Sequence, residues 1–157
     1  MKLLYYIIIK RIWLIRLAKN QQLCFNGRME KDFEGWHALK ATVDNGTGRG
    51  YKEREIWWIS LGHNVGDEEN GKGDRFSRPV LIVKGFRRNI FWGVPLTSAV
   101  REGQYYHSFT VPSLNRVNTA LLSQMRILDT KRMTTKIGMI DQVEFTAIRS
   151  KLVNFFT

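Results

Sequence analysis

Arg78 is the residue of this sequence best suited to bind a phosphate group. A guanidinium stays charged at physiological pH and presents a planar fork of donors that matches phosphate oxygens. Arg78 stands directly before Pro79, where a polar loop passes into an apolar run that would aim the side chain. Because it begins this run rather than filling its interior, we expect Arg78→Ala to leave the fold intact. The alternative interpretation is a surface arginine that pairs with Asp74 or Glu68.

Thr97 offers a hydroxyl at the end of the next apolar run, with Ser98 as a weaker neighbour. A hydroxyl at this position can donate a hydrogen bond to a phosphate oxygen or to the leaving 5′ oxygen of a phosphodiester. Threonine also closes β-strands for structural reasons alone, and composition by itself favours that interpretation. Together, an arginine and a hydroxyl beside a polar loop form a candidate site for phosphate chemistry.

The loop before Arg78 is predicted to span residues 62–77, with four glycines and no hydrophobic periodicity. A loop of this length is uncommon in a compact domain and is usually functional or mobile. It contains one histidine and four acidic residues: His63, Asp67, Glu68, Glu69 and Asp74. Such side chains are possible ligands of a divalent ion, but clustered acids in a loop are more often solvated. We therefore predict no metal site.

Short strands are predicted on both sides of this loop. Residues 55–61 alternate with the period of two that is typical of a strand. Residues 79–84 form a continuous apolar run, and residues 90–96 return as its hairpin partner after a basic turn. Further strands or candidate strands are predicted at 105–111, 119–124 and 135–139.

Two helices complete the predicted fold. The first runs from Met29 to Val43, and a Gly-rich linker over 44–50 follows it. The second is capped by Asp141, with Glu144 three residues later in the manner of a capping box. The apolar or long side chains expected on the buried faces are Phe33, Trp36, Leu39 and Lys40 in the first helix and Phe145, Ile148, Leu152 and Phe155 in the second. We predict a mainly β fold with helices, namely a small SH3-like antiparallel β-barrel with a C-terminal helix and an additional N-terminal helix.

The net charge of +11 is concentrated near the N-terminus, since residues 1–28 contain six basic side chains and no acidic one. A basic protein suits a polyanionic partner such as nucleic acid. Cys24 is the single cysteine, which excludes an internal disulfide and a Cys-based zinc site and fits a reducing cytoplasm.

Residues 1–28 are predicted to be an extension separate from the helix and linker (29–50) and the main domain (51–157). Their longest uncharged run, Leu3 to Ile9, is far below the roughly 20 residues that span a bilayer, so no membrane span is predicted. Three interpretations stay open: a basic helix on a membrane surface, an extra element packed on the domain, or a segment that is not translated. We favour the third, with Met29 as the start, and expect the extension to be dispensable.

Four blocks of the sequence, in their order and spacing, resemble the PemK/MazF family of bacterial toxins: Gly66–Gly71, Arg78–Val83, Val94–Ser98 and Leu122–Arg132. The resemblance covers roughly residues 54–155, and Gln124–Arg132 is its most specific part. Asp129 is expected to cap a short helical turn there and to pair with Arg126. The chain departs from the family pattern at Glu68-Glu69, where Glu-Gln is usual, and in the additional residues 72–77 before the Arg-Pro pair.

The resemblance implies the toxin of a type II toxin–antitoxin system, a ribosome-independent endoribonuclease that acts as a homodimer and is neutralised by a cognate antitoxin protein. Single-stranded RNA, specifically mRNA, would supply the 2′-hydroxyl nucleophile, without metal or cofactor, and leave a 2′,3′-cyclic phosphate and a 5′-hydroxyl. Arg78 and Thr97 take the catalytic positions in this comparison. Because an arginine is a poor general base, we assign Arg78 to charge stabilisation. The predicted RNA-binding residues are Gln124, Ser98, Arg87, Arg88 and Glu68.

Two other functions stay open at this point. One is a non-catalytic SH3-like barrel that binds RNA or a protein partner, and the other is a gyrase-inhibiting toxin on the same fold. The combination of Arg78 and Thr97 favours the endoribonuclease.

Overall fold

The computed structural model describes residues 31–156 and, nearer the N-terminus, the pairs 24–25 and 28–29. Strands β1 (Cys24–Phe25) and β2 (Arg28–Met29) pair in antiparallel fashion. The first helix, α1 (Phe33–Asp44), therefore begins later than predicted, because Met29 already belongs to a strand. The predicted roles of the rest of residues 1–28 lie outside the described residues.

The remainder of the fold is a seven-stranded antiparallel sheet with one further helix, so the predicted mainly β class with helices is confirmed. The elements in chain order are β3 (Glu55–Ser60), β4 (Ser77–Arg87), β5 (Ile90–Thr97), β6 (Tyr106–Val111), β7 (Arg116–Leu121), β8 (Arg126–Asp129), β9 (Met133–Met139) and α2 (Gln142–Val153). Single 3₁₀ turns occupy Pro112–Leu114, Leu122–Gln124 and Thr130–Arg132. No helix in the described part of the chain is long and apolar enough to cross a membrane.

The sheet is not a closed barrel, which corrects the predicted barrel architecture. Its strands follow the order β6-β7-β5-β4-β3-β9, with β8 paired to β5, and no β6–β9 ladder occurs among the described residues. Instead, Gly138 of β9 lies so close to Ser113, in the turn after β6, that a Cβ at position 138 would overlap the serine hydroxyl. A turn thus contacts β9 where a backbone ladder would have closed the barrel.

Strand β5 changes partners along its length. Residues from Ile90 to Gly93 pair with β8, whereas Leu96 and Thr97 pair with β7. Pro95 lies between these two ladders, where the missing N–H of a proline breaks no hydrogen bond to either strand. The position of Pro95 between the two ladders fits a strand that changes partners along its length.

Helix α2 covers the larger of two apolar clusters with its predicted stripe of Phe145, Ile148 and Leu152, all buried. The Asp141 side chain accepts the Glu144 N–H at 2.8 Å, as predicted for the helix cap. The Glu144 carboxylate does not complete the capping box, because it bonds His107 Nε2 at 2.6 Å. This contact ties α2 to strand β6.

Helix α1 buries less than predicted. Trp36 is its single buried residue, while Phe33 is about half exposed and Lys40 is exposed. The helix therefore packs on the sheet domain mainly through one indole ring.

Glu55 is a buried acid at the start of β3 that we expect to make stability depend on pH. Burial raises the pKa of its carboxyl group, but Lys136, the Trp57 indole and the Lys52 N–H outweigh burial and hold the pKa below its usual value. A carboxyl group whose pKa is lower in the folded state than in the unfolded state stabilises the fold at pH values above its unfolded pKa. This stabilisation is lost as the pH falls through the folded pKa. Glu55→Gln should therefore lower the melting temperature at pH 7. Below about pH 4, its melting temperature should fall less steeply with pH than that of the wild type.

Thermal unfolding followed by circular dichroism between pH 3 and pH 7 measures this effect. Glu102→Gln, at an exposed position, is the matched control and should melt like the wild type throughout. Equal pH dependence in the Glu55→Gln and wild-type proteins would contradict the assignment.

Candidate active site

The ends of β4 and β5 border a cleft with a volume of about 370 Å³. The antiparallel register pairs Val80 with Pro95, and Arg78 and Thr97 lie just beyond this pair at the same end of the hairpin. The structure thus brings together three of the predicted site residues, Arg78, Thr97 and Ser98. The complete lining is Trp58, Lys72, Gly73, Ser77, Arg78, Pro79, Leu96, Thr97, Ser98, Arg116 and Asn118.

Arg78 is more deeply buried than its place at a strand end predicts, with only 7% of its surface exposed. Its Nη1 donates to the Leu96 carbonyl at 3.1 Å and its Nε donates to the Asn70 carbonyl at 2.7 Å. Its Nη2 forms an ion pair with Glu69, not with Asp74 or Glu68. These contacts occupy three of the five N–H groups of an arginine.

Electrostatics at Arg78 follow from this burial. Desolvation lowers the pKa of the guanidinium from its ordinary value, the Glu69 carboxylate opposes that change, and Arg101 adds to the lowering. An arginine begins from so high a pKa that the group remains charged at neutral pH. The cleft therefore holds a fixed, buried positive charge that is partly balanced by an acid of the loop.

Thr97 has a half-buried side chain whose oxygen accepts a long hydrogen bond, 3.3 Å, from the Ala99 N–H. This contact uses the hydroxyl as an acceptor, so its hydrogen can be donated to a ligand in the cleft. Beside it, Asn118 is buried and donates to the Arg116 carbonyl at 3.0 Å.

Lys72, Arg116 and Asn118 line the cleft although the sequence analysis did not predict them. Arg116 and Asn118 reach it because Thr97 pairs with Thr119, which brings β7 alongside the end of β5. This pairing is a long-range contact with no local signal in the sequence. Lys72 reaches it through the loop, where its backbone pairs with Ser77.

The loop over residues 62–77 lies against the site through two further predicted residues. Gln124 Oε1 accepts the Glu69 N–H at 3.0 Å, and Gln124 Nε2 donates to the Asp67 carbonyl at 3.4 Å. Glu68 lies 3.9 Å from Arg126. Gln124 and Glu68 therefore hold the loop in place and do not line the cleft.

The block around Asp129 differs from its prediction in one contact. Asp129 caps the 3₁₀ turn as expected, since its side chain accepts the Lys131 N–H at 2.8 Å. Arg126 does not pair with Asp129, because both lie in strand β8 and an odd separation places them on opposite faces.

Arg87 and Arg88 lie at the opposite end of the β4–β5 hairpin from Arg78. The eleven residues of β4 separate this turn from the cleft, so the structure does not bring these two arginines to the site. Among the described residues, no group of three or more His, Cys, Asp and Glu side chains is arranged to hold a metal ion.

Comparison with known proteins places this arrangement in a family. Residues 52–156 match the family model described as PemK-like, MazF-like toxin of type II toxin-antitoxin system. No curated protein sequence matches the chain.

Three solved structures share the fold. MazF (Form-I) from Deinococcus radiodurans has 18% identity and a TM-score of 0.55, covering 69% of this chain and 97% of its own. An endoribonuclease in complex with its cognate antitoxin from a Mycobacterial species has 13% identity and a TM-score of 0.53, with coverages of 68% and 95%. The Mycobacterium tuberculosis toxin MazF-mt6 has 18% identity and a TM-score of 0.51, with coverages of 66% and 96%. Since the family model spans more than half of the sequence, the chain belongs to the PemK-like, MazF-like toxins of type II toxin–antitoxin systems.

Proposed function

We propose that this chain is a cytoplasmic toxin that cleaves single-stranded RNA, preferentially mRNA, at specific sequences without a metal ion. The observation that carries the proposal is that the buried Arg78 and the hydroxyl-bearing Thr97 line one cleft. Two basic side chains on the cleft wall, Lys72 and Arg116, add positive charge along the path of a polyanion. One of the solved structures with the same fold is that of an endoribonuclease.

The reaction that suits this cleft is an internal transfer within the RNA. The 2′-hydroxyl oxygen attacks the adjacent phosphorus and loses its proton to solvent, while the bond from phosphorus to the 5′ oxygen breaks. Arg78 stabilises the negative charge that grows on the non-bridging oxygens. Thr97 gives its hydroxyl proton to the leaving 5′ oxygen and regains one from solvent. The products are a 2′,3′-cyclic phosphate and a 5′-hydroxyl.

Incubation of the purified protein with a defined RNA in EDTA tests this route. We expect cleavage to continue in EDTA, because the nucleophile comes from the RNA and the charge stabilisation from Arg78. The new 5′ ends should accept phosphate from a polynucleotide kinase without prior phosphatase treatment. Activity that disappears in EDTA and returns with Mg²⁺ would rule out this mechanism. RNA that is bound but never cut would favour a non-catalytic binding module.

Thr97→Ala should slow cleavage by roughly 10²-fold, at the low end for a lost general acid, since water can partly replace the proton donor. Thr97→Ser keeps the hydroxyl and should recover most of the rate. Single-turnover cleavage at saturating protein measures both variants. A Thr97→Ala protein with the wild-type rate would remove this hydroxyl from the reaction.

We also propose that the chain forms a homodimer and binds a cognate antitoxin protein. Exposed apolar side chains on the outer face of the hairpin and β8, including Phe86, Trp92 and Ile127, support an interaction surface there. One structure of the same fold holds an endoribonuclease together with its cognate antitoxin. Light scattering of the purified protein, alone and with the antitoxin, gives the stoichiometry.

A further inference from the structure

Helix α1 lies outside the family-matched residues 52–156 and packs on the base of the loop beside the candidate site. Its Trp36 is only 8% exposed and meets the Phe76 ring edge-on, with 5.8 Å between ring centroids. A Cβ added at Gly62 would overlap the Trp36 indole, which shows how closely helix and loop approach. The Arg132 guanidinium carbon lies over the same indole, 5.5 Å from the ring centroid. Trp36 is therefore enclosed by the two ends of the loop and by the turn after β8.

The two ends of the loop are joined to each other at this position. The Gly62 N–H donates to the Phe76 carbonyl at 3.1 Å, and the Gly71 N–H donates to the Gly62 carbonyl at 2.9 Å. Both Gly62 and Phe76 have positive φ, which is an unfavourable conformation for a phenylalanine. The surrounding contacts must hold Phe76 in this conformation. The Phe76 ring contacts two other rings, those of Trp36 and His63. The centroids of the Phe76 and His63 rings are 4.8 Å apart.

The far part of the same loop lies over the catalytic arginine. Asn70 accepts from Arg78 through its backbone carbonyl, and the Glu69 carboxylate pairs with Arg78 Nη2. Asn70 is the neighbour of Gly71, which hydrogen-bonds to the base of the loop. A movement of the base of the loop therefore reaches Asn70, a direct partner of Arg78, through the adjacent residue Gly71.

We propose that α1 is a clamp built into this chain and that Trp36 is the positioning residue through which it holds the loop closed over Arg78. Loss of the indole removes the apolar cover of the Phe76 ring and the packing on Gly62. The base of the loop then opens more often, and Arg78 is exposed for a larger fraction of the time. The consequence for RNA rests on the function proposed above, whereas the clamp itself is a property of the folded chain.

The test uses the full chain and two measurements that need no RNA. An arginine-specific dicarbonyl reagent, followed by peptide mass spectrometry, gives the modification rate of Arg78. Hydrogen exchange gives the opening of the Gly71 and Lys72 amides. In Trp36→Ala we expect both rates to rise by about tenfold relative to the wild type, while far-ultraviolet circular dichroism still shows the native fold.

Two variants separate the clamp from a general loss of aromatic packing. Trp36→Phe keeps a ring against Phe76 and should restore both rates to near wild-type values. Tyr105→Ala removes an aromatic ring that packs on Phe155, outside the loop, and should change neither rate. Where Trp36→Ala does not fold, Phe33→Ala takes its place. Phe33 is half exposed and contacts His63 at the base of the loop, so a smaller rise of the same sign is expected.

RNA cleavage provides the functional measurement. If closed and open loops exchange before RNA binds, the apparent affinity scales with the open fraction, so Trp36→Ala should lower KM for RNA severalfold. Its kcat should stay within about twofold, because the reacting groups are intact. Unchanged Arg78 modification and amide exchange in Trp36→Ala, or in Phe33→Ala as its substitute, would overturn the clamp. A wild-type protein that does not cleave RNA would refute the proposed function and leave the two RNA-free measurements to decide the clamp.

Discussion

Arg78→Ala should lower the rate of RNA cleavage by about 10²- to 10³-fold, which is the loss expected when a charge-stabilising donor is removed from a buried site. It should also lower the free energy of unfolding by about 1–3 kcal/mol, since buried partners lose their donor. Those partners are the Leu96 and Asn70 carbonyls and the Glu69 carboxylate. The fold itself should stay intact, as expected from the sequence, but with lower stability. Cleavage kinetics and urea unfolding of the same preparations measure the two effects.

The double variant Arg78→Ala/Glu69→Ala separates catalysis from stability. Removal of the unpaired carboxylate should return part of the lost unfolding free energy, because an unpartnered charge is no longer held at the site. Cleavage should remain as slow as in Arg78→Ala. A double variant that cuts RNA at the wild-type rate would show that Arg78 takes no part in the reaction.

Gly71→Ala should lower the free energy of unfolding by about 1–3 kcal/mol, the usual cost of forcing extra volume into a packed position. A Cβ at residue 71 would overlap the backbone carbonyl of Phe76, and a backbone group cannot rotate away as a side-chain end can. The two arms of the loop must therefore separate. For a chain of this size, each kcal/mol corresponds to roughly 2–4 °C in melting temperature.

Gly50→Ala is the matched control, because a Cβ at residue 50 meets no atom within 4 Å. It should melt at the wild-type temperature or slightly above, since alanine restricts the unfolded chain. Equal melting temperatures for Gly71→Ala and Gly50→Ala would mean that the loop arms are not packed together in solution.

The presence of Arg78 and Thr97 in one cleft could be predicted because local signals bring them together. A continuous apolar run, a basic turn and a returning apolar run define one hairpin, and its register leaves the two residues at the same end of the hairpin. The helix cap at Asp141 was predictable for the same reason, as its donor lies three residues away. Chemistry encoded within one hairpin or one turn can be read from the sequence.

The contacts that depend on distant strands could not be predicted in the same way. Strand β8 has four residues, too few for a periodic signal, and its pairing with β5 sets Leu128 beside Phe91 across a long separation. The burial of Arg78 also depends on the fold of the whole loop. Trp36 was expected on the buried face of its helix, but nothing near it in the sequence indicates the contact with Phe76.

The ion pair between Glu69 and Arg78 has a consequence for the ionic-strength dependence of RNA binding. A cationic side chain that neutralises a phosphate normally releases a condensed counterion. For a single strand, each such contact contributes about 0.7 to the magnitude of the slope of log affinity against log salt concentration. In the proposed reaction, an incoming phosphate would exchange with this carboxylate at Arg78, and the displaced Glu69 would take up a cation from solution. In the proposed reaction, the residue with the largest catalytic effect therefore adds almost nothing to this slope, which reports mainly on exposed cations such as Lys72 and Arg116.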